Sequence, residues 1–232
     1  MTVEFPILYQ DDEIVVTSKP SGLLVHRSRE SRDTVFLLQE LGAQLDSFLY
    51  PVHRLDRAAS GAIVFALSSE MARELQERIN AEDAFKEYLI LVRGSAEQSG
   101  ETSRPLTSDK GVKRDAKSAF EKVAEFSRCS LLRVRIFTGR RHQIRRHFAH
   151  LHHHILGDTT YGKGRINQFF RDNYQLPRLF LHAWRLEFRH PRTDERVEIK
   201  APLAGDLVEF LGRLPDVPEG LVEALAEGQS LP

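Results

Sequence analysis

The chain has 232 residues, 41% hydrophobic and 28% charged, with 14 Gly and 10 Pro, the composition of a folded globular protein of one or two domains and not of a collagenous or disordered one. Its single cysteine, Cys129, excludes an internal disulfide and a cysteine-rich zinc site. With no basic-then-apolar leader and no run of about 18 apolar residues, the chain reads as cytoplasmic, neither secreted nor membrane-spanning. Short apolar runs between Gly, Pro and charged turns predict strands over 14–17, 23–26, 62–67, 88–92, 131–137, 184–188 and 197–200. Two of them alternate: Leu132, Val134 and Ile136 oppose Arg133 and Arg135, and Trp184, Leu186 and Phe188 oppose Arg185, Glu187 and Arg189, so both read as half-buried strands with a basic outer face. Between strands, Met71, Leu75 and Ile79 fall four apart behind Ser68-Ser69, a capped helix over 69–80. A second helix is predicted to open at Thr138-Gly139 and to carry Ile144, Phe148 and Leu151 on its apolar stripe. A late helix follows over 202–214. Residues 215–232, with Asp216, Glu219, Glu223 and Glu227 as their only charges, read as a loosely docked acidic tail. Strands that follow one another with little helix between them indicate an α+β sheet.

The 33 Lys and Arg balance the 33 Asp and Glu, which taken alone argues against a nucleic-acid partner. The distribution reverses that reading. From Arg133 to His154 there are six arginines and six histidines and no acidic residue. Arg140 and Arg141 are expected in the first helical turn, where the macrodipole disfavours cations, so the placement reads as an anion site with phosphate as the common anion. A solvated, ion-paired basic face is the alternative. His147, His150, His152, His153 and His154 contain helical spacings but lack an HExxH order or an interleaved acid, so no metal is expected and packing or turn roles are. In His53-Arg54-Leu55-Asp56-Arg57 a carboxylate sits between two arginines that favour its charged form, which suits a nucleophile or base and equally a structural salt bridge. Cys129 reads as a small core residue.

Four motifs in order carry a resemblance: Lys19-Pro20-Ser21-Gly22-Leu23-Leu24-Val25-His26; His53-Arg54-Leu55-Asp56 with Ser60-Gly61; Lys86-Glu87-Tyr88 continuing to Val92-Arg93-Gly94; and Thr138-Gly139-Arg140-Arg141-His142-Gln143-Ile144-Arg145. With Gly157-Asp158 and Leu181-His182-Ala183 they resemble the RluA-type pseudouridine synthases over residues 5 to about 203. Val25-His26-Arg27-Ser28 with Arg32-Asp33, the run 145–151 and the run 176–183 are most similar to the branch that modifies the uridine at tRNA position sixty-five. The stretch from Arg104 to Ala116 is shorter than in that branch.

The resemblance implies a long, curved, mostly antiparallel mixed sheet with flanking helices and a central RNA-binding cleft. It implies a catalytic domain over 1–214, the acidic tail over 215–232 and no separate N-terminal RNA-binding domain. It also implies an isomerase that needs neither cofactor nor metal. Asp56 matches the essential aspartate, Arg145 the basic residue that pairs with it, and Tyr88 the active-site tyrosine. Arg54 matches the arginine that fills the gap left by the flipped nucleotide. Arg140, Arg141, Arg146 and His142 are candidate substrate contacts, and Lys19 and His26 are turn supports or substrate contacts. The expected partner is tRNA, with ribosomal RNA as the alternative, and the expected state is a monomer. A non-catalytic RNA-binding module would need the basic segment but neither Asp56 nor Tyr88.

Overall fold

The computed structural model describes residues 4–27, 31 and 33–229; Ser28 and Arg32 of the tRNA-branch resemblance lie outside them. In chain order come β1 (Ile7–Gln10), β2 (Ile14–Lys19), α1 (Leu37–Gln44), β3 (Tyr50–Pro51), β4 (Ser60–Ala66) and α2 (Ser69–Asn80). Then follow β5 (Phe85–Arg93), β6 (Ser99–Thr102), β7 (Leu106–Thr107), β8 (Lys113–Arg114), β9 (Ser118–Phe126), β10 (Cys129–Ile136), α3 (Gln143–His150) and α4 (Gly164–Tyr174). Last are β11 (Leu181–Arg189), β12 (Arg196–Lys200), α5 (Gly205–Leu211) and α6 (Leu221–Glu227). Two compact units result, one of residues up to 85 plus 185–201, the other of 86–184 plus the residues from 202 onward.

In the first unit β2 pairs antiparallel with β4 from Ile14↔Ala66 to Lys19↔Gly61, and β1 and β3 add to β2 and β4. Every residue of β4 is buried, so it shows an unbroken small and apolar run and no alternation. The α2 stripe of Met71, Leu75 and Ile79 packs in one core cluster with Ile14, Val64, Leu186, Phe188, Val197 and Ile199. The Ser68 hydroxyl caps the helix, accepting from the Met71 amide at 3.1 Å. Residues 23–26 are not a strand. Leu24 makes one parallel bridge to Phe36, and the Leu24 and Val25 carbonyls accept from the first amides of α1. Nor is the outer face of β11 basic: Arg185 pairs with Glu187 of the same strand and with Glu198 of β12, Arg196 pairs with Glu187, and Arg189 pairs with Asp83 and Asp194 of the adjoining loops.

In the second unit β5, β10, β9 and β6 form consecutive antiparallel ladders. Leu89, Leu91, Cys129 and Leu131 enter one cluster with Phe170 of α4, Phe180, Trp184, Leu207 and Phe210 of α5, and Leu221 and Leu225 of α6. The beginning of β10 is therefore buried on both faces, and its alternation survives only near Arg133 and Arg135. The acidic tail is docked, not loose: Leu225 is fully buried and its carbonyl accepts from the Leu203 amide at 2.9 Å. The apolar pair four apart in α6 outweighs the acids on its exposed side.

Candidate active site

Asp56 stands half-buried on the loop between β3 and β4, with the buried side chains of Val52 and Leu55 before the turn and of Ala59 after it. A second loop, 19–22, holds that turn. The Lys19 ammonium, wholly buried, donates to the carbonyls of Pro20 (2.7 Å), Leu23 (2.8 Å) and Arg57 (3.2 Å). The Ser21 hydroxyl donates to the Ala58 carbonyl, and the Gly22 amide to the Arg57 carbonyl at 2.8 Å. Gly22 has φ +86°, a conformation that costs a side-chain-bearing residue dearly. Lys19 is thus a turn support. Arg57 donates from Nε to the Gly22 carbonyl at 2.9 Å and pairs with Asp33 at 3.0 Å. It clamps the two loops together. His53 accepts the Val64 amide at Nε2, 3.2 Å, and Arg54 is exposed.

Within the second unit Tyr88 lies opposite Val134, and Val134 opposite Phe120, so the three share one face of the sheet. The same face receives α3: Phe148 meets Phe120 edge to face at 5.5 Å, and the Ser118 hydroxyl reaches Gln143 and His147. Tyr88 and the helix that carries Arg145 are therefore brought to one side. The helix begins at Gln143 and not at Thr138, so Arg140 and Arg141 precede it in a loop and the dipole penalty expected for them does not arise. Gln143 makes the start. Its Oε1 accepts from the Thr138 hydroxyl (2.7 Å) and the Arg140 amide (3.1 Å), and its Nε2 donates to the Lys117 carbonyl (2.9 Å) and Ser118 (3.1 Å). His142, at φ +52°, reaches the Tyr161 hydroxyl through Nδ1 at 3.1 Å.

The partner the structure gives Arg145 within this unit is Asp158. Nε and Nη2 of the guanidinium donate to Oδ2 and Oδ1 at 2.8 and 2.9 Å, with the side chains 9% and 1% exposed, a bidentate geometry. The Tyr161 ring lies 5.1 Å from the guanidinium. Asp158 Oδ1 also accepts the Thr160 and Tyr161 amides, and Asn167 clips the turn by accepting the Gly157 amide and donating to the Asp158 carbonyl. Burial opposes ionisation of Asp158, but the bonds from Arg145, Tyr161 and Thr160 hold its carboxyl below the usual range. Gly157 has φ +79°, and a Cβ there would meet the Arg178 carbonyl oxygen at 2.0 Å. Neither the Asp158 turn nor the Gln143 hub is visible in local sequence pattern, because their partners lie up to 26 residues away.

The other cations of the segment are exposed or half-buried. Arg140 donates from Nε to the Asp115 carbonyl at 2.9 Å, Arg141 pairs with Asp109 at 2.7 Å, and Arg146 is half-buried on α3. Among the histidines, His147 donates from Nε2 to the Arg104 carbonyl (3.0 Å) while Nδ1 accepts from Ser118 (2.9 Å), and His154 donates from Nδ1 to the Tyr161 carbonyl (2.7 Å). They are packing and turn groups. The described residues contain no cluster of three or more His, Cys, Asp or Glu placed to hold a metal, and no helix long and apolar enough to cross a membrane. Burial pushes the Cys129 thiol up to about 12, which leaves it unreactive.

A model of the RNA pseudouridylate synthase family matches residues 13–150, the stretch that contains Asp56, Tyr88 and Arg145. The chain belongs to that family. The protein named tRNA pseudouridine synthase C in Vibrio vulnificus (strain CMCP6) is 39% identical over 218 residues, covering 84% of this chain and 89% of that protein. The protein of the same name in Pasteurella multocida (strain Pm70) is 40% identical over 225 residues, covering 87% and 91%. Among solved structures, human RNA pseudouridylate synthase domain containing 4 superposes with a TM-score of 0.76 at 23% identity, over 92% of this chain and 95% of that one. Domain containing 1 of the same human series gives 0.73 at 22%, over 99% and 97%. The likeness shows the pseudouridine synthase fold, α+β with a mostly antiparallel sheet. As a member of the family the chain is an isomerase that makes pseudouridine in RNA.

Proposed function

We propose that this synthase acts on tRNA and converts the uridine at position sixty-five. The observation that carries this reading is that relatives 38–40% identical over more than four-fifths of the chain, from several bacteria, share the one name tRNA pseudouridine synthase C. The tRNA-branch resemblance of Val25-His26-Arg27-Ser28 with Arg32-Asp33 and of the runs 145–151 and 176–183 supports it. Pseudouridine formation detaches uracil from C1′, turns it while it stays bound, and rejoins it through C5, so every atom of the uridine is kept. Asp56 provides the carboxylate, either attacking C1′ or taking the 2′ proton. Arg145 pairs with it as the resemblance implies, while its fork to Asp158 fixes the guanidinium plane. Tyr88 stacks on the detached uracil. The target nucleotide must leave its stack, at a cost of a few kcal/mol that protein contacts offset. Arg54 fills the gap, and Arg140, Arg141, His142 and Arg146 hold the surrounding backbone by shape and phosphate.

The test incubates purified protein, with no cofactor added, with unmodified tRNA and ribosomal RNA from one strain that lacks this gene, and maps pseudouridine site by site. Product at tRNA position sixty-five that vanishes in Asp56→Asn, with that variant's unfolding curve unchanged, is the expected result. Product in ribosomal RNA alone overturns the substrate, and full turnover by Asp56→Asn overturns the assignment of the residue.

A further inference from the structure

The hairpin of β7 and β8 is packed against the Thr138–His142 loop although both are basic. Lys110, Lys113 and Arg114 are exposed on the hairpin, with Asp109 at its tip and Asp115 directly after it leaving a net positive charge, and Arg140 and Arg141 are exposed on the loop. The approach is fixed, not incidental. Arg140 Nε bonds the Asp115 carbonyl at 2.9 Å, the buried His147 bonds the Arg104 carbonyl at 3.0 Å at the hairpin's base, and the Lys117 amide donates to the Thr138 hydroxyl at 3.1 Å. A fold gains nothing by rigidly converging two cationic elements on each other, since like charges repel; such convergence is favourable when a polyanion lies across both. At the hairpin tip one carboxylate intervenes. Asp109 pairs with Arg141 at 2.7 Å, with the two side chains 72% and 43% exposed, and ion pairs so exposed contribute little net stability.

We propose that Asp109 stands on Arg141 in the place of an RNA phosphate, and that binding exchanges the carboxylate for the phosphodiester. The inference rests on the reading of the protein as a tRNA-binding enzyme. It makes the hairpin tip and the Arg140-Arg141 loop one backbone-binding surface, and it makes Asp109 an internal competitor that weakens every RNA contact at Arg141 until a phosphate of sufficient local concentration displaces it. A phosphodiester has the same charge as the carboxylate but comes with its neighbours in the chain. Lys110 and Lys113 hold those neighbours, so the exchange favours RNA over a free anion.

The experiment is a double-mutant cycle on RNA binding, using fluorescence anisotropy of a labelled, unmodified tRNA transcript with the full chain, at several salt concentrations. Asp109→Asn is expected to tighten binding about three- to tenfold at low salt and to steepen the salt dependence by about one released counterion. Arg141→Gln is expected to weaken binding about tenfold, and adding Asp109→Asn to it to change little, because Asp109 acts through Arg141. Equal tightening in both backgrounds would mean general repulsion between Asp109 and RNA and would overturn the exchange, as would no tightening at all. Product mapping on the same transcript separates the two readings. Coupling without product upholds the exchange and overturns the tRNA reading, product without coupling does the reverse, and failure to bind RNA overturns both.

Discussion

Arg145 and Asp158 neutralise each other where water scarcely reaches, so each holds the other's charge in place. Breaking such a pair by removing one charge leaves the other uncompensated, which typically costs about 3–5 kcal/mol. Asp158→Asn keeps the shape and removes the charge, and is expected to lower the unfolding free energy read from urea curves by about that amount and to abolish turnover. An unchanged unfolding free energy would show that Arg145 finds an equivalent partner without Asp158. A second residue-scale consequence concerns pH. Burial lowers the His147 imidazole below its usual 6.5; the bond to the Arg104 carbonyl works against this, and His150 and Arg146 add to it. Below 6.5 the unfolded chain takes up a proton that the folded chain resists, so stability is complete above that pH and falls as pH is lowered through it. Urea midpoints at pH 5 and pH 7 should therefore differ in the native chain and differ less in His147→Asn. An equal difference in both would place the acid sensitivity elsewhere, with His150 and His154, which burial lowers in the same direction, as the next groups to test.

At the scale of elements, the loop before α3 depends on Gln143, whose amide joins Thr138, Arg140, Lys117 and Ser118. Gln143→Leu has nearly the same volume and leaves those groups without the partner, at about 1–3 kcal/mol for each one stranded. Amide hydrogen exchange at 138–142 is expected to accelerate in the variant; unchanged protection would mean that the loop is held by other contacts. Why the sequence misplaced this helix start follows from the same bonds. Thr138-Gly139 has the look of a cap, but the threonine hydroxyl is spent on Gln143 and on the Lys117 amide, and the left-handed His142 breaks the helix before Gln143. By contrast α2 was legible, because Ser68 and the Met71, Leu75 and Ile79 stripe act locally. β9 was not, since Lys122 and Glu121 interrupt its apolar positions and its pairing with β10 carries a bulge. Among candidate site residues, Asp56, Tyr88 and Arg145 stand out by motif alone. The groups that hold their surroundings, Lys19 in the first unit and Asp158, Asn167 and Gln143 in the second, act over separations that local pattern does not encode.

For the molecule as a whole, chain order and compactness disagree. The first unit closes only when residues 185–201 return to it: Leu186, Phe188, Val197, Ile199 and Ala201 lie in the same core cluster as Ile14, Val64 and Leu75. They also supply Arg192, which pairs with Glu13, Glu70 and Glu74 and so ties the turn after β12's partner strand to β2 and α2. A boundary drawn along the sequence at Pro215 crosses none of this, yet it removes Leu221 and Leu225 from the core of the second unit. Each buried leucine cut back to alanine is worth about 2–5 kcal/mol, a large share of the 5–15 kcal/mol that holds a typical domain folded. A fragment of residues 1–85 is therefore expected to lack a cooperative urea transition, because one wall of its core is missing. Joining residues 185–201 to it through a flexible linker should restore the transition, since the contacts involved are independent of how the two segments are connected. Circular dichroism through a urea series on both fragments decides the matter. A cooperative transition in 1–85 alone would show that β2, β4 and α2 suffice as a core, and failure of the linked form would show that the unit needs more of the chain than its own contacts.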